Sequence, residues 1–367
     1  MIFLSLQGVG RTGKRVSPGV TQEGNVRFHA VRVRNPRTRS GLLTVAWNVA
    51  FSYVPALMRM AHRALKSPAA VVHVTGTALA PLALLHKWRH GSHIVLDVNE
   101  RPGSSGNSGS AFGIAARLEP LTLRILRRQA EIVTVVCRGH ADILERHYGF
   151  RDIQVVVNGP LRSWAGNFAA PSQSPQERLR IVTIGTVFEH RAFEMMIDAA
   201  SMAVDSGARL NLDIYGSGSD EYVNTLRARI ERNRATDIIS LHGPLDNSRV
   251  AETYRRGHIG LALYEPSQDN NDSLSNKLLE VVSSGRPVLA GNLTENRRFI
   301  EKYDVGILVD VNVESLCAEL IKLAQEKPST EWAAHCFEVG QAELVWEQNF
   351  EAVLTRVRSS TVTAARG

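Results

Sequence analysis

Asp272-Ser-Leu-Ser-Asn-Lys-Leu-Leu-Glu280 is the stretch of this 367-residue chain that says most about its fold, together with Ser283-Ser-Gly-Arg-Pro-Val-Leu-Ala290. The Ser and Asn residues predict the start of a helix, the Leu and Val residues its buried face, Gly285 its C-cap, and the following apolar run a buried strand. A helix N-terminus offers unpaired backbone N–H groups to an anion, and an acid two turns further on reaches a sugar hydroxyl. The pattern is therefore typical of a sugar-nucleotide site.

Strands and helices alternate on both sides of this stretch, which indicates an α/β protein with two parallel, doubly wound sheets. The first block runs from a strand at 2–6 to a strand at 154–157, and the second from a strand at 180–184 to a helix at 313–325. A Pro-, Ser- and Gln-rich segment at 161–178 separates them and is typical of a linker. We expect ligands in a central cleft between the halves and at the carboxyl ends of the strands.

The charge of the chain is unevenly distributed. Residues 1–160 contain 21 Lys and Arg against 8 Asp and Glu, and residues 161–367 contain 22 against 28, so that +13 and −6 give the net charge of +7. A basic first half indicates an anionic partner such as a membrane surface or a lipid phosphate, although a solvated Arg-rich surface explains it equally well. No nucleic-acid-binding motif accompanies it, and we expect no nucleic acid as a partner.

The cysteines and the N-terminus bear on the compartment. Three Cys residues, odd in number and far apart, predict neither a disulfide framework nor a metal cluster and fit a reducing compartment. The apolar start lacks the charged flank of a signal peptide. We expect a cytoplasmic protein, peripheral on the cytoplasmic face of the membrane.

The motifs resemble those of the retaining glycosyltransferases of family 4, which have the GT-B fold of two Rossmann-like domains facing a central cleft. The family signature Glu-x7-Glu corresponds to Asp272-x7-Glu280, its small-residue turn and strand to Gly285-Arg-Pro-Val288, and a Pro-Asn-Lys-Leu-Phe-Glu variant is similar to Ser-Asn-Lys-Leu-Leu-Glu280. Glu343–Phe350 resembles the helix that returns to the first domain. The first strand–helix unit of the N-terminal domain is missing or unrecognisable.

The resemblance implies a division into three parts. Residues 1–165 are expected to form an acceptor-side N-terminal domain, residues 177–340 a C-terminal domain that binds the nucleotide sugar, and residues 341–357 the helix that crosses back.

It also implies roles for the residues of the donor site. Arg191 lies at the position of a family Lys that clamps the donor diphosphate, whereas Thr186 stands where an Arg is usual, so half of the clamp is absent unless Lys277 or His190 replaces it. The expected catalytic residues are Arg191, Asp272 and Lys277. Those expected to bind the nucleotide sugar are Gly185, Gly216, Gly218, Ser275, Asn276 and Glu280.

On the acceptor side, three residues resemble family positions. His73 follows an early strand, and Asn99 and Glu100 belong to an Asp-x-His-Glu-like segment in which Asn99 replaces the His. Family members need no metal ion and no cofactor beyond the donor, and no clustered ligands suggest a metal site.

Two stretches favour other interpretations. Gly8–Lys14 nearly matches a P-loop, but Arg15 stands where a Ser or Thr would hold magnesium, and Pro18 interrupts any following helix. Leu42–Met58 is apolar but short for a membrane span. It remains open whether this stretch is a buried helix or an interfacial helix on anionic lipid.

The sequence thus predicts a metal-independent hexosyltransferase-like enzyme. It would move a sugar, with retention, from a nucleotide diphosphate sugar to a glycan or lipid-linked hydroxyl in cell-surface polysaccharide or glycolipid synthesis. A catalytically weak sugar-nucleotide-binding partner subunit is the alternative, and an epimerase on the same fold is a third interpretation.

Overall fold

The computed structural model describes residues 2–7, 19–23, 26–32, 54–77, 79–103 and 112–364. The chain folds as two compact units. The N-terminal unit comprises Met1–Val156 together with Glu351–Gly367, and the C-terminal unit comprises Val157–Phe350.

The N-terminal unit is built on a seven-stranded sheet of order β2-β3-β1-β4-β5-β6-β7. All neighbouring strands are parallel except β2, which is antiparallel to β3. The strands are β1 Ile2–Gln7, β2 Gly19–Glu23, β3 Val26–Arg32, β4 Val71–Thr75, β5 His93–Val98, β6 Ala130–Val135 and β7 Gln154–Val155. The helices are α1 Val54–Lys66, α2 Ala80–His90, α3 Phe112–Leu126 and α4 Arg138–Ile143, the last continued by a π-helix at Leu144–Tyr148.

The start of this unit differs in detail from the sequence prediction. β1 is present and pairs with both β3 and β4, and the sequence did not reveal β2 in the connection to β3. Residues 8–18, 33–53 and 104–111 lie outside the described residues. They include the P-loop-like segment and most of Leu42–Met58.

The C-terminal unit has a six-stranded parallel sheet of order β10-β9-β8-β11-β12-β13. Its strands are β8 Leu179–Ile184, β9 Leu210–Tyr215, β10 Ile239–His242, β11 Ile259–Ala262, β12 Val288–Gly291 and β13 Gly306–Val309. Its helices are α5 Arg162–Ala165, α6 Phe193–Asp205, α7 Asp220–Arg232, α8 Val250–Arg255, α9 Gln268–Asp272, α10 Asn276–Ser283, α11 Thr294–Tyr303, α12 Val313–Gln325 and α13 Thr330–Val339. The sequence analysis did not predict α9 or α13.

Both faces of this sheet are buried. Ile181 of β8 belongs to one apolar cluster and its neighbour Val182 to the other. Successive side chains of a strand point to opposite faces, so near-continuous apolar strands are what a sheet covered on both sides requires.

Helix α10 is held against β11 by a close approach of side chain and backbone. A β-carbon at Gly260 would lie 2.3 Å from Cγ2 of Val281, so only glycine lets the helix pack this near the strand. Leu278, Leu279 and Val282 are buried with Val281. The packing of these residues fixes the polar side chains on the same helix, which include Lys277 and Glu280.

The last helix, α14, runs from Trp346 to Ala364. From Glu351 onward it belongs to the N-terminal unit, where Arg356 donates two hydrogen bonds to the carboxylate of Asp152, at 3.0 and 3.1 Å. Among the described residues, no helix combines the length and apolar character that crossing a bilayer requires.

Candidate active site

A cavity of about 410 Å³ opens in the C-terminal unit at the carboxyl ends of β8 and β11. The strand order reverses between these two strands, because the chain builds β9 and β10 on one side of β8 and returns to place β11 on the other. Ligands of doubly wound sheets bind at such a point. The cavity is lined by the loops that follow both strands and by the first turns of α10; the polar residues among them are Thr186, Arg191, Tyr264, Asn270, Ser273, Ser275, Asn276, Lys277, Glu280 and Asn296.

Arg191 stands in a strained loop after β8. Its neighbours His190 and Ala192 have φ of 65° and 57°, a region that costs a non-glycine residue about 1 kcal/mol or more. The Arg191 guanidinium donates a hydrogen bond of 3.5 Å to the Tyr264 hydroxyl, and its Cζ lies 5.2 Å from the centre of the Tyr264 ring. The strain and these contacts hold the guanidinium at the cavity.

Lys277 is buried in the cavity wall, with 3% of its surface exposed. Its Nζ has no hydrogen-bond partner in the described structure and lies 5.0 and 5.1 Å from the ring centres of Phe193 and Tyr264. Burial, and after it the charge of Arg191, lower the pKa of Lys277 to about 7, while Glu280 opposes both. An unpaired buried ammonium beside a second cation is costly, and an anion in the cavity would relieve that cost.

Of the two residues considered for the missing half of the clamp, Lys277 lines the cavity and His190 does not. A β-carbon at Gly185 would lie 2.7 Å from Cε of Lys277, so the lysine side chain fills the space beside the loop after β8. His190 is exposed and its Nδ1 lies 2.8 Å from Oε2 of Glu265, which raises the pKa of His190. Thr186 is exposed and lines the cavity.

Glu280 and Asn276 connect this cavity to a second one. Both residues also line a cavity of about 150 Å³ whose other walls include Asn158, Trp164 and Asn247. Burial raises the pKa of Glu280 to about 7, with Lys277 acting in the opposite direction. A carboxylate between two cavities can accept hydrogen bonds from a ligand that extends through both.

The structure brings together most of the predicted donor-site residues. Gly185, Arg191, Ser275, Asn276, Lys277 and Glu280 all line the larger cavity. The Ser275 hydroxyl has no hydrogen-bond partner among the described residues. Asp272 ends helix α9 and is half-buried; it does not line the cavity itself, but the next residue, Ser273, does.

Gly216 and Gly218 have a packing role that the sequence analysis did not identify. A β-carbon at Gly216 would lie 1.8 Å from the carbonyl oxygen of Gly185, and one at Gly218 would lie 2.2 Å from that of Val187. The Val187 amide donates to the Ser217 carbonyl at 2.9 Å. These glycines let the loop after β9 pack onto the loop that carries Gly185, and neither of them lines the cavity.

Replacing Gly216 by alanine is expected to lower the free energy of unfolding by about 3 kcal/mol, because its φ of 152° and the nearby carbonyl leave no room for a β-carbon. Chemical denaturation would measure the change. Gly207→Ala is the matched control, since Gly207 also has a positive φ, of 93°, but a β-carbon there meets nothing within 4 Å. Equal losses in the two variants would show that the close approach of the loops is not the reason.

The residues predicted for the acceptor side lie in the N-terminal unit. His73 of β4 is buried, and its Nε2 lies 4.0 Å from Oδ2 of Asp97. Thr134 of β6 donates to Asp97 at 2.8 Å, so a polar chain crosses three neighbouring strands. Burial lowers the pKa of His73, and Asp97 opposes the shift. Asn99 and Glu100 are exposed just after β5.

Two residues of these sites escaped the sequence analysis. The ring centre of Tyr264 lies 5.2 Å from the Arg191 guanidinium and 5.1 Å from the Lys277 ammonium. The carboxylate of Asp97 lies near His73 and accepts a hydrogen bond from Thr134. The available signal for each was its place at the carboxyl end of a buried strand. The described residues contain no group of three or more His, Cys, Asp and Glu side chains suited to a metal ion.

Comparison with known families agrees with this fold. Residues 178–326 match the model for glycosyl transferases group 1, and residues 8–160 match the glycosyl transferase 4-like domain. Together the two models match most of the chain, which therefore belongs to the glycosyltransferases with the GT-B fold of two α/β units.

Individual relatives are distant. A UDP-N-acetylglucosamine–peptide N-acetylglucosaminyltransferase GtfA subunit of Streptococcus gordonii is 25% identical over 196 residues, which are 49% of this chain and 37% of that protein. The chain therefore spans well under half of the length of this relative. Among solved structures, Anabaena HepE in complex with UDP has a TM-score of 0.66 at 11% identity, covering 90% of this chain and 86% of HepE. The pneumococcal O-GlcNAc transferase GtfA in complex with UDP and GlcNAc has a TM-score of 0.63 at 17% identity, covering 84% and 60%.

Proposed function

We propose that the protein transfers a sugar from a nucleoside diphosphate sugar to a hydroxyl group of a glycan or lipid-linked acceptor, with retention of the anomeric configuration. The observation that carries this proposal is the convergence of Arg191, Lys277 and Glu280 on one cavity at the switch point of the sheet. Two cations side by side, one of them buried without a partner, need a polyanion. A diphosphate provides such a polyanion, because its negative charges lie on two adjacent phosphates.

The positive charges at the cavity indicate where the diphosphate of the donor would bind. The donor diphosphate would lie between the Arg191 guanidinium and the Lys277 ammonium, near the N-terminus of α10, whose free N–H groups and dipole also favour an anion. As the bond to the sugar breaks, negative charge grows on the leaving phosphate. Cations fixed in advance at that place stabilise the transition state more than the ground state.

The remaining side chains would orient the donor. Glu280 would accept hydrogen bonds from the ribose hydroxyls, and the smaller cavity beyond it would take the base. Ser275 and Asn276 would contact phosphate or sugar, and Asp272 the hydroxyls of the transferred sugar. Retention follows from the resemblance to family 4, in which the leaving phosphate helps to deprotonate the acceptor on the same face of the sugar.

The similar structures favour uridine as the base, because both HepE and the pneumococcal GtfA are in complex with UDP. A polypeptide hydroxyl is a second candidate acceptor, since the GtfA relatives are peptide N-acetylglucosaminyltransferases by name. A cytoplasmic role in cell-surface polysaccharide or glycolipid synthesis is part of the proposal. The comparisons do not favour the alternative of a catalytically weak partner subunit.

Calorimetric titration with UDP, GDP and ADP, followed by nucleotide release from a panel of donor sugars with and without acceptors, tests the proposal. Arg191→Gln is expected to weaken diphosphate binding about 100-fold, because a hydrogen-bonded charge pair is worth about 1.5 to 3 kcal/mol. Arg227→Gln removes the same charge from the exposed face of α7 and should leave binding unchanged. Binding that survives Arg191→Gln, or depends equally on Arg227, would exclude this cavity as the donor site.

A further inference from the structure

The outer face of helix α3 in the N-terminal unit carries an apolar stripe. Leu118, Leu121 and Ile125 are 52%, 57% and 45% exposed. Their spacing of three and four residues places them on one side of the helix. Scattered apolar residues on a surface need no explanation, but three large ones in one row on one helix form a patch that water does not favour.

A cluster of arginines continues this stripe. An open groove of about 720 Å³ is lined by Arg124 of α3, by Arg127 and Arg128 just after this helix, and by Arg146 and His147 of the neighbouring π-helix. No described carboxylate forms an ion pair with Arg124, Arg127 or Arg128. Arg146 lies 3.8 Å from Asp142 but keeps 75% of its side chain exposed. The groove is therefore a concentrated positive charge with little internal compensation.

The neighbouring helix adds an exposed aromatic residue at the same end. Lys87 of α2 donates a hydrogen bond of 2.7 Å to the carbonyl of Gln129, just after α3, so the ends of the two helices are adjacent. Trp88, the next residue, is 81% exposed. The tryptophan side chain combines an apolar ring with a polar N–H group, and tryptophan is enriched at membrane–water interfaces.

We propose that this face, defined by Leu118, Leu121, Arg124, Ile125 and Arg128 and named here the α3 face, docks on the surface of an anionic lipid bilayer. The apolar stripe would enter the region between headgroups and acyl chains, while the arginines reach lipid phosphates through their long side chains. The charge of the first 160 residues, +13, complements such a surface. This surface is distinct from Leu42–Met58, the segment that the sequence analysis considered for a membrane.

The combination of features selects the bilayer among anionic partners. The phosphates of a nucleic acid would pair with the arginines, but Leu118, Leu121 and Ile125 would remain exposed to water. A second copy of the chain would cover the apolar stripe but would bring the two arginine clusters together, and like charges in an interface are costly. Only a bilayer offers an anionic layer next to an apolar one.

The inference rests on the proposed function, because a lipid-linked acceptor would be presented at such a surface. It is tested separately by co-sedimentation of the full chain with vesicles of phosphatidylcholine alone and with vesicles that contain phosphatidylglycerol. We expect binding only to the anionic vesicles, and weaker binding as salt is raised. Arg124→Gln combined with Arg128→Gln should reduce partitioning about 25-fold, about fivefold for each charge.

A matched variant and an apolar variant make the test specific. Arg227→Gln with Arg232→Gln removes the same charge from α7, which carries no exposed apolar stripe, and should leave partitioning unchanged. Leu121→Ser should reduce partitioning about tenfold without changing the net charge. Absence of preference for anionic vesicles, or equal losses in the α7 control, would overturn the proposal, as would a Leu121→Ser variant that binds vesicles normally.

Two further measurements separate the possible failures. If Leu121→Ser instead dissociates a dimer in vesicle-free solution, the α3 face is an interface between copies and the proposal is wrong. Binding of UDP to the α3-face variants should equal that of the unmodified chain, since none of these residues lines the donor cavity. Failure of every form to bind a nucleotide would contradict the proposed function while leaving the vesicle result to be judged by itself.

Discussion

Lys277→Met is expected to lower the efficiency of sugar transfer about 100-fold and, at the same time, to raise the free energy of unfolding of the unliganded protein by about 1 to 4 kcal/mol. The two effects have one cause. The ammonium of Lys277 is buried without a partner next to Arg191, so it destabilises the empty site and is compensated only when a diphosphate binds. Methionine has a similar length and places no charge in the wall, and the contacts of the side chain with Phe193 and Tyr264 remain apolar.

The opposite signs make this variant informative. Replacing a lysine that only fills space would change neither activity nor stability, and replacing a lysine required for folding would lower both. Lys322→Met, at an exposed position on α12, is the control and should change stability by less than about 0.5 kcal/mol. Denaturation by urea measures the change in stability, and steady-state kinetics with the preferred donor measures the change in transfer efficiency. A Lys277→Met protein that is less stable and still active would contradict the assignment.

The size of the stability gain in the Lys277→Met variant depends on pH. The pKa of Lys277 is lowered from 10.5 in the unfolded chain to about 7 in the folded protein, so the unfolded state binds more protons between these values. Stability therefore rises with pH across this window. The gain from Lys277→Met should be greatest at pH 7 and below, and should disappear near pH 10.5.

The α/β fold was predictable because its signals are local. Most strands of the C-terminal unit are rich in apolar residues and are followed by Gly, Asn or Asp, and their alternation with amphipathic helices indicates parallel sheets. Helix α9 was missed because Gln268–Asp272 is polar throughout and offers no period, and α13 because it follows a Pro-containing turn without a strong apolar pattern. Strand β2 was missed because it is polar and lies at the edge of its sheet.

The candidate site could be predicted only in part. The spacing of Asp272 and Glu280 and the resemblance it carries indicated the residues of α10. Neither the spacing nor the resemblance indicated which way the side chain of Lys277 points. Its direction depends on the absence of a side chain at Gly185, more than 90 residues earlier in the chain. The position of Tyr264 beside Arg191 likewise depends on the pairing of β8 with β11, which are far apart in the sequence. For Gly216 and Gly218 the sequence was misleading in the opposite way. Their motif is typical of ligand binding, but in the structure these glycines let two loops pack closely and do not line the cavity.

Glu280→Gln is expected to weaken nucleoside diphosphate binding about 30- to 100-fold and to change how stability depends on pH. The loss of affinity follows from the hydrogen bonds that a carboxylate accepts from ribose hydroxyls, each worth about 1.5 to 3 kcal/mol to a charged group. The change in pH dependence follows from burial, which raises the pKa of Glu280 from 4.5 to about 7. Between these values the folded state binds more protons than the unfolded state, so this carboxyl makes the unmodified protein less stable as the pH rises.

The glutamine variant removes that decline. Its free energy of unfolding should match that of the unmodified protein near pH 4.5 and exceed it by roughly 3 kcal/mol above pH 7, since each unit of pKa shift corresponds to about 1.4 kcal/mol. Glu301→Gln, at an exposed position on α11, makes the same chemical change and should leave the slope as it is. Because the Lys277 contribution rises with pH only above 7 and that of Glu280 falls only below 7, the two groups together make the empty site least stable near neutrality. UDP should then raise the unfolding temperature most at that pH, and a stabilisation that increases steadily towards pH 5 would show that these two groups do not hold the donor.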